Sequence, residues 1–256
     1  MKLRLFVVLF SLTMRYAILA DIHSNLAALD AVLKDIERRG GVDEFWCLGD
    51  IVGYGPDPRQ CLELLRRQRL TAVGGNHDLA AAGKLALSSF NPDGAAAIRW
   101  TQSQLSGGDV QFLSSLPTIL EKDDFTLVHG SPRDPVWEYL HSVSNAGENF
   151  SYFKTPYCLV GHIHTPVIFK WEDGRCSYVP FSPDIGQALG RTRLIINPGS
   201  VGQPRDGDPR AAYAIYDGEA AIIRLHRAQY CIEDTQRRIM RHNLPLRLAI
   251  RLKDGL

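Results

Sequence analysis

The sequence predicts a single α/β domain, and three observations carry that prediction. The chain has 256 residues, 45% of them apolar and 22% charged, which is ordinary globular usage with ample material for a core. From Arg15 onward, short apolar runs alternate with stretches of helical periodicity. In the second half the apolar runs follow one another too closely for crossover helices, so they are expected to pair as an antiparallel or mixed sheet.

The elements follow in order. Arg15–Ala20 reads as a buried strand. A helix is expected from about Asn25 to Arg39, because Leu26, Leu29, Val32, Leu33 and Ile36 fall on one face and Gly40-Gly41 stops it. A strand at 44–48, a helix at 59–68 after Pro56 and Pro58, and a strand at 70–73 complete a βαβαβ half. Residues 90–116 read as helical, with Asn91 as N-cap and Pro92 at the first helical position; the wider segment 83–116 is a candidate lid or dimer face. Strands are expected at 124–128, 157–160, 166–171, 176–181, 193–196, 211–217 and 219–226. The domain proper therefore runs over 14–228, and 229–256 is a helical tail, its basic residues on a solvated face packed against the body.

Residues 1–13 form an N-terminal extension. Lys2 and Arg4 precede the apolar run Leu5–Phe10 in the manner of a signal peptide. The run is too short to span a membrane, which takes about 20 apolar residues, and no small-x-small cleavage site precedes Arg15. The reading is an upstream start ahead of a start at Met14; an uncleaved surface anchor and an extra packed segment are the alternatives.

Charge and cysteine usage narrow the function classes. Lysine plus arginine number 29 against 28 acidic residues, a net charge of +1, so bulk electrostatic binding to nucleic acid is not expected. Five cysteines, scattered and without a C-x-x-C, read as reduced thiols of a cytoplasmic protein. No membrane partner is expected, and a homo-oligomer stays open.

The polar residues concentrate at strand ends. Asp21-Ile22-His23 follows the first strand, Gly49-Asp50 the second, Gly75-Asn76-His77-Asp78 the third, His129-Gly130 the fourth and Gly161-His162-Ile163-His164 the fifth. In an open α/β sheet, ligands bind outside the carboxyl ends of the strands. Five of the chain's eight histidines lie in these turns, beside two carboxylates that would repel each other in a partly desolvated pocket without a cation. Imidazole and oxygen donors without thiolate suit manganese, iron, nickel, cobalt or zinc better than calcium or magnesium. Seven ligands are too many for one such ion. Two ions sharing a carboxylate, about 3.5–4 Å apart, would stabilise both the attacking and the leaving oxygen of a displacement at phosphorus.

The ordered set D-x-H, G-D-x-x-G, G-N-H-D, H-G and G-H-x-H resembles the calcineurin-like metallophosphoesterase superfamily over about residues 15–225. Asp21–Asn25 and Asn197-Pro198-Gly199-Ser200 resemble its small bacterial and archaeal phosphodiesterase branch. The resemblance implies an αββα sandwich of two mixed sheets with a dinuclear site at the strand C-terminal ends. It implies that Asp21, His23 and His164 bind one metal, that Asn76, His129 and His162 bind the other, and that Asp50 bridges. It further implies that His77 contacts the phosphate and acts as general acid, with Asp78 orienting its ring. The implied reaction is attack of metal-bridging hydroxide on a small phosphate ester, a diester first, with manganese as the first metal to consider. A phosphomonoesterase and a dinucleoside-polyphosphate hydrolase are the alternatives within the superfamily; a non-catalytic scaffold on the same fold is the alternative outside enzymes. The arginine of the extended protein-phosphatase motif is missing after Asp50, where the chain reads Ile51-Val52-Gly53-Tyr54. Arg133 and Arg205, each close after a ligand loop, are candidate phosphate contacts, and Gly53–Pro56 is either a pocket wall or a plain turn.

Overall fold

The computed structural model describes residues 14–256; the extension read at 1–13 lies outside them. The chain runs β1 (Arg15–Leu19), α1 (Leu26–Arg38), β2 (Glu44–Cys47), α2 (Pro58–Arg66), β3 (Leu70–Ala72), α3 (Asn76–Ala81), α4 (Pro92–Gln104), α5 (Gly107–Ser115), β4 (Ile119–Lys122), β5 (Phe125–Val128), α6 (Val143–Asn149), β6 (Tyr157–Leu159), β7 (Pro166–Glu172), β8 (Arg175–Val179), β9 (Gly186–Ala188), β10 (Arg193–Pro198), β11 (Ala211–Asp217), β12 (Ile222–Ala228), α7 (Ile232–Arg241) and α8 (Leu246–Asp254). No helix among the described residues is long and apolar enough to cross a membrane.

The strands form two mixed six-stranded sheets, ordered β3-β2-β1-β11-β12-β9 and β4-β5-β6-β10-β7-β8. β1, β2 and β3 are parallel, as are β5, β6 and β10; the remaining neighbours are antiparallel. Side chains alternate across each strand, and the alternation builds the layers. In β1, Ala17 and Leu19 face α1 and α2. Tyr16, Ile18 and Ala20 face the second sheet, where Trp46 and Leu48 meet Phe125, Leu127, Leu159 and Ile196. Beyond the second sheet, Cys158, Phe169 and Ile195 pack against Ala146 and Phe150 around α6. The result is an αββα sandwich.

The five polar strand ends thus belong to two sheets and not to one open sheet: three close the first, and the ends of β5 and β6 close the second. Other differences are local. The helix expected over 90–116 is two helices, because Ser106 and Asp109 form a capping box that starts α5 afresh. The strand expected from 219 begins at Ile222, after a turn in which Asp217 caps Glu219 and Ala220. The expected tail is two helices, and they pack against Tyr54, Ala97 and Trp100.

Candidate metal centre

Three of the five ligand loops, those carrying Asp21 and His23, Asp50, and His162 and His164, leave their strands through strained turns. Among the described residues twelve non-glycine positions have positive φ, and Asp21, His23, Ser24, Asp50, Tyr54, His162 and His164 account for seven of them. Each such conformation costs on the order of 1–3 kcal/mol and persists only where its surroundings impose it. Here the backbone imposes it. His23 N donates to Asp50 O (2.9 Å) and Ser24 N to Ile51 O (3.0 Å), which zips the first two loops together. The Asn197–Ser200 turn holds the others: Asn197 Nδ2 donates to Gly161 O (2.6 Å), and Ser200 Oγ to Asp21 O (2.8 Å).

These turns bring all seven expected ligands together, none more than 3% exposed. Asp21 Oδ1 lies 3.4 Å from His164 Nε2, which lies 3.1 Å from His23 Nε2. On the other side, His129 Nε2 lies 3.0 Å from His162 Nδ1 and 3.1 Å from Asn76 Oδ1. Asp50 stands between the two groups. Its Oδ1 accepts the His77 backbone N–H at 2.9 Å. Its Oδ2 faces His23 Nε2 at 3.5 Å and His129 Nε2 at 3.3 Å.

The remaining ring nitrogens establish what converges there. His23 Nδ1, His129 Nδ1 and His164 Nδ1 meet the carbonyls of Val52 (3.3 Å), Leu48 (2.8 Å) and Gln203 (2.6 Å), and His162 Nε2 meets that of Trp137 (3.3 Å). A carbonyl only accepts, so each imidazole donates there and turns a lone pair inward. The inward atoms are then acceptors facing acceptors in a dry interior, an arrangement that divalent cations satisfy. The pull for positive charge shows in His129. Burial disfavours its protonation, yet the charge and hydrogen bond of Asp50 outweigh burial and raise its pKa to about 9. Burial raises the Asp21 carboxyl, with the Asp50 charge adding to the rise. The donor set present therefore fits divalent cations.

His77 lies beside this centre. Burial lowers its imidazole pKa to about 4, against the pull of Asp50. Asp78 does not orient it, which corrects the expectation from the motif. Asp78 Oδ1 accepts from Val52 N (3.0 Å) and Oδ2 from Gly75 N (3.1 Å), so the carboxylate caps α3 and ties it to the Asp50 loop. Among the described residues His77 Nδ1 is buried without a hydrogen-bond partner. Its ring is held by packing, 4.3 Å from the Tyr54 ring and 5.1 Å from that of Phe90. Gly53 has φ +92° and presses on the imidazole, and a Cβ there would collide with Nδ1.

A cavity of about 70 Å³ opens onto the centre. Asp50, Asn76, His77, His162 and His164 form its floor, and Tyr54, Ser89, Phe90, Asn91, Trp137, Tyr139 and Arg205 its walls. Arg205 lines it. Arg133 does not; its guanidinium pairs with Glu138 and, at 2.6 Å, with Glu148. Gly53–Pro56 supplies a wall through Tyr54. Phe90, Trp137 and Tyr139 were not foreseen. Aromatic residues clustered in the loop after His129 were the available signal, and Tyr139 stacks on His162 with ring centroids 3.8 Å apart.

A family model described as the calcineurin-like phosphoesterase superfamily domain matches residues 14–221. The crystal structure of a metallophosphoesterase from Sphaerobacter thermophilus is 44% identical and superimposes with a TM-score of 0.85, covering 95% of this chain and 100% of its own. An uncharacterized protein of Methanocaldococcus jannaschii is 39% identical over 92% of this chain and 96% of its own length. A symmetrical bis(5'-nucleosyl)-tetraphosphatase of Shewanella baltica is 35% identical over 105 residues, 36% of this chain and 38% of its own.

Proposed function

The chain belongs to the calcineurin-like phosphoesterase superfamily, a metal-dependent hydrolase, and from that premise we propose that it is a phosphodiesterase working with two divalent transition-metal ions, manganese first among them. Residues 14–228 are its catalytic domain and 229–256 its helical C-terminal segment; its free cysteines suit the cytoplasm.

The observation that carries the proposal is the position of Asp50, whose Oδ2 faces His23 on one side and His129 on the other. Asp21, His23 and His164 would hold one ion, Asn76, His129 and His162 the other, and Asp50 both. Such ions supply an activated water and neutralise charge developing at phosphorus. The chain's residues do the rest. The carbonyls behind the four imidazoles fix which ring nitrogen carries the proton and aim the other inward. His77, at the pocket floor, would donate a hydrogen bond to the departing oxygen as the ester bond breaks. Arg205 would hold a non-bridging phosphate oxygen. The wall contains one cationic side chain and four aromatic ones, which suits a singly charged diester with an apolar or planar group better than a doubly charged monoester. A dinucleoside polyphosphate is the second reading, favoured by the local similarity to the Shewanella tetraphosphatase.

The test is hydrolysis of bis-p-nitrophenyl phosphate by chelator-stripped protein, with and without Mn²⁺, against p-nitrophenyl phosphate. Mn²⁺-dependent diester cleavage faster than monoester cleavage is expected. Preference for the monoester, or turnover without metal, would overturn the proposal.

A further inference from the structure

The C-terminal hairpin lies beyond the residues the family model matches, yet it touches three of the loops that build the pocket. Thr235 Oγ1 donates to Asn25 Oδ1 at 2.9 Å, just after the His23 turn. Arg238 pairs with Asp57, at the end of the loop that carries Tyr54. Gly207 N donates to Gly255 O at 3.0 Å, fastening the end of α8 to the loop that carries Arg205. Gly255 sits at φ +65°, and a Cβ there would press on the backbone of Gly207 and Asp208 at 2.9–3.0 Å. Gln236 Nε2 donates to Ala249 O at 2.9 Å and locks the two helices together.

Between these ties lies Tyr54. It belongs to one buried cluster with Ile239, Leu244, Leu248 and Leu252, each no more than 6% exposed, and lines a small cavity together with Ile239, Leu248 and Leu252. Its other neighbours belong to the centre: the His77 ring at 4.3 Å, the His23 ring at 4.6 Å, and the Arg205 guanidinium 5.9 Å from its centroid. Among the described residues Arg205 pairs with no carboxylate; its guanidinium bonds only Gln203 Oε1, at 2.7 Å from Nη2 and 3.3 Å from Nε. A cation left without an acid at the wall of a phosphate pocket is available to substrate. Its loop is anchored by Arg205 N to His164 O (3.1 Å) on one side and by the hairpin on the other.

We propose that the α7–α8 hairpin is a positioning element of the substrate pocket, acting through Tyr54 and Arg205 without touching substrate or metal. The inference rests on the phosphoesterase reading. It makes substrate affinity depend on a segment outside the catalytic core, while the seven ligands are held by the sheets and the Asn197–Ser200 turn.

The test is Leu252→Ala, which leaves a void under Tyr54, with Thr235→Val as a milder second variant and Leu252→Met as the volume-keeping control. Each is loaded with Mn²⁺ and measured for KM and kcat on bis-p-nitrophenyl phosphate, for inorganic phosphate affinity by calorimetry, and for bound metal. Leu252→Ala is expected to raise KM and weaken phosphate binding about 5–10-fold, with kcat within about twofold and metal content unchanged; the methionine variant retains wild-type values. In an Arg205→Ala background the same change should cost less than about twofold, because effects through a shared residue do not add. Lower thermal stability with unchanged KM and phosphate affinity would overturn the proposal, as would additive losses in the Arg205→Ala background. A wild-type protein that binds metal and phosphate but cleaves neither ester would sink the phosphodiesterase reading alone, since phosphate affinity would still report the positioning. A metal-loaded wild type that binds no phosphate would overturn both.

Discussion

Asp50 shows how much of the site rests on one side chain. Its carboxylate is buried, and burial alone would raise its pKa. The charge and hydrogen bond of His129 outweigh that and hold it ionised. Asp50→Asn replaces one of the two acceptor oxygens with a donor aimed at inward lone pairs. We expect metal content near one ion per chain or less, and loss of diester turnover by about a hundredfold or more; metal analysis on the folded variant checks it, and retention of two ions with full turnover would remove Asp50 as the bridge. Gly75 makes the matching point through the backbone. A Cβ at Gly75 would collide with Asp50 Oδ1, so Gly75→Ala should reproduce much of the Asp50→Asn defect without removing a ligand. The cluster of candidate ligands was legible in the sequence because acids and imidazoles at strand ends have few structural uses in such number. The role of Asp78 was not. His77 and Asp78 are consecutive positions of α3, and consecutive helical side chains diverge by about 100°. Neighbours in the motif are therefore not neighbours in space.

At the scale of elements, the segment from His129 to Asn149 joins the floor of the pocket to its wall. Glu138 organises it, accepting hydrogen bonds from Ser131, from Asn145 Nδ2 (2.9 Å) and from Asn149 Nδ2 (3.0 Å), and pairing with Arg133. Burial would raise the Glu138 pKa; the bonds from Arg133, Ser131 and Asn149 outweigh it and lower it to about 2. A carboxyl depressed on folding stabilises the native state above its unfolded pKa, ordinarily near 4.5 for glutamate, and loses that contribution as pH falls toward 2. Thermal unfolding followed from pH 7 down to pH 3 should show the wild type losing part of its stability below about pH 4.5. In Glu138→Gln that part of the acid dependence should be missing, and the stability at pH 7 lower; identical acid profiles would show that Glu138 is not the anchor. Trp137 and Tyr139 flank Glu138, so the variant should also raise KM more than it lowers kcat. The short elements around such loops were the least legible. β4 and β9, of four and three residues, are too short to show an alternating pattern. The break between α4 and α5 was written in Ser106-x-x-Asp109, a start signal hidden within a run of helical character.

At the scale of the whole molecule, the centre exists only where two sheets meet. Asp21, His23, Asp50 and Asn76 hang from the first sheet, and His129, His162 and His164 from the second. Each proposed ligand set therefore draws on both sheets. The sequence located the strand ends, but which sheet each strand joins depends on pairings between distant segments, such as Ile18 with Ala214 and Ile195 with Cys158. No local pattern carries those pairings. One thermodynamic consequence follows. Ligands scattered from position 21 to position 164 cannot converge in the unfolded chain, so metal should bind the native state almost alone. Such binding stabilises by RT ln(1 + [L]/Kd), about 4 kcal/mol at a thousandfold excess over Kd. For a domain of this size that corresponds to a rise in Tm of about 10 °C. Calorimetric scans of chelator-stripped protein, with and without saturating Mn²⁺, measure it directly. Asp50→Asn should flatten the response, and Arg205→Ala, which touches no ligand set, should leave it at the wild-type size. A Tm indifferent to saturating metal would mean that the sheets do not jointly bind it, and the two-sheet centre would have to be abandoned.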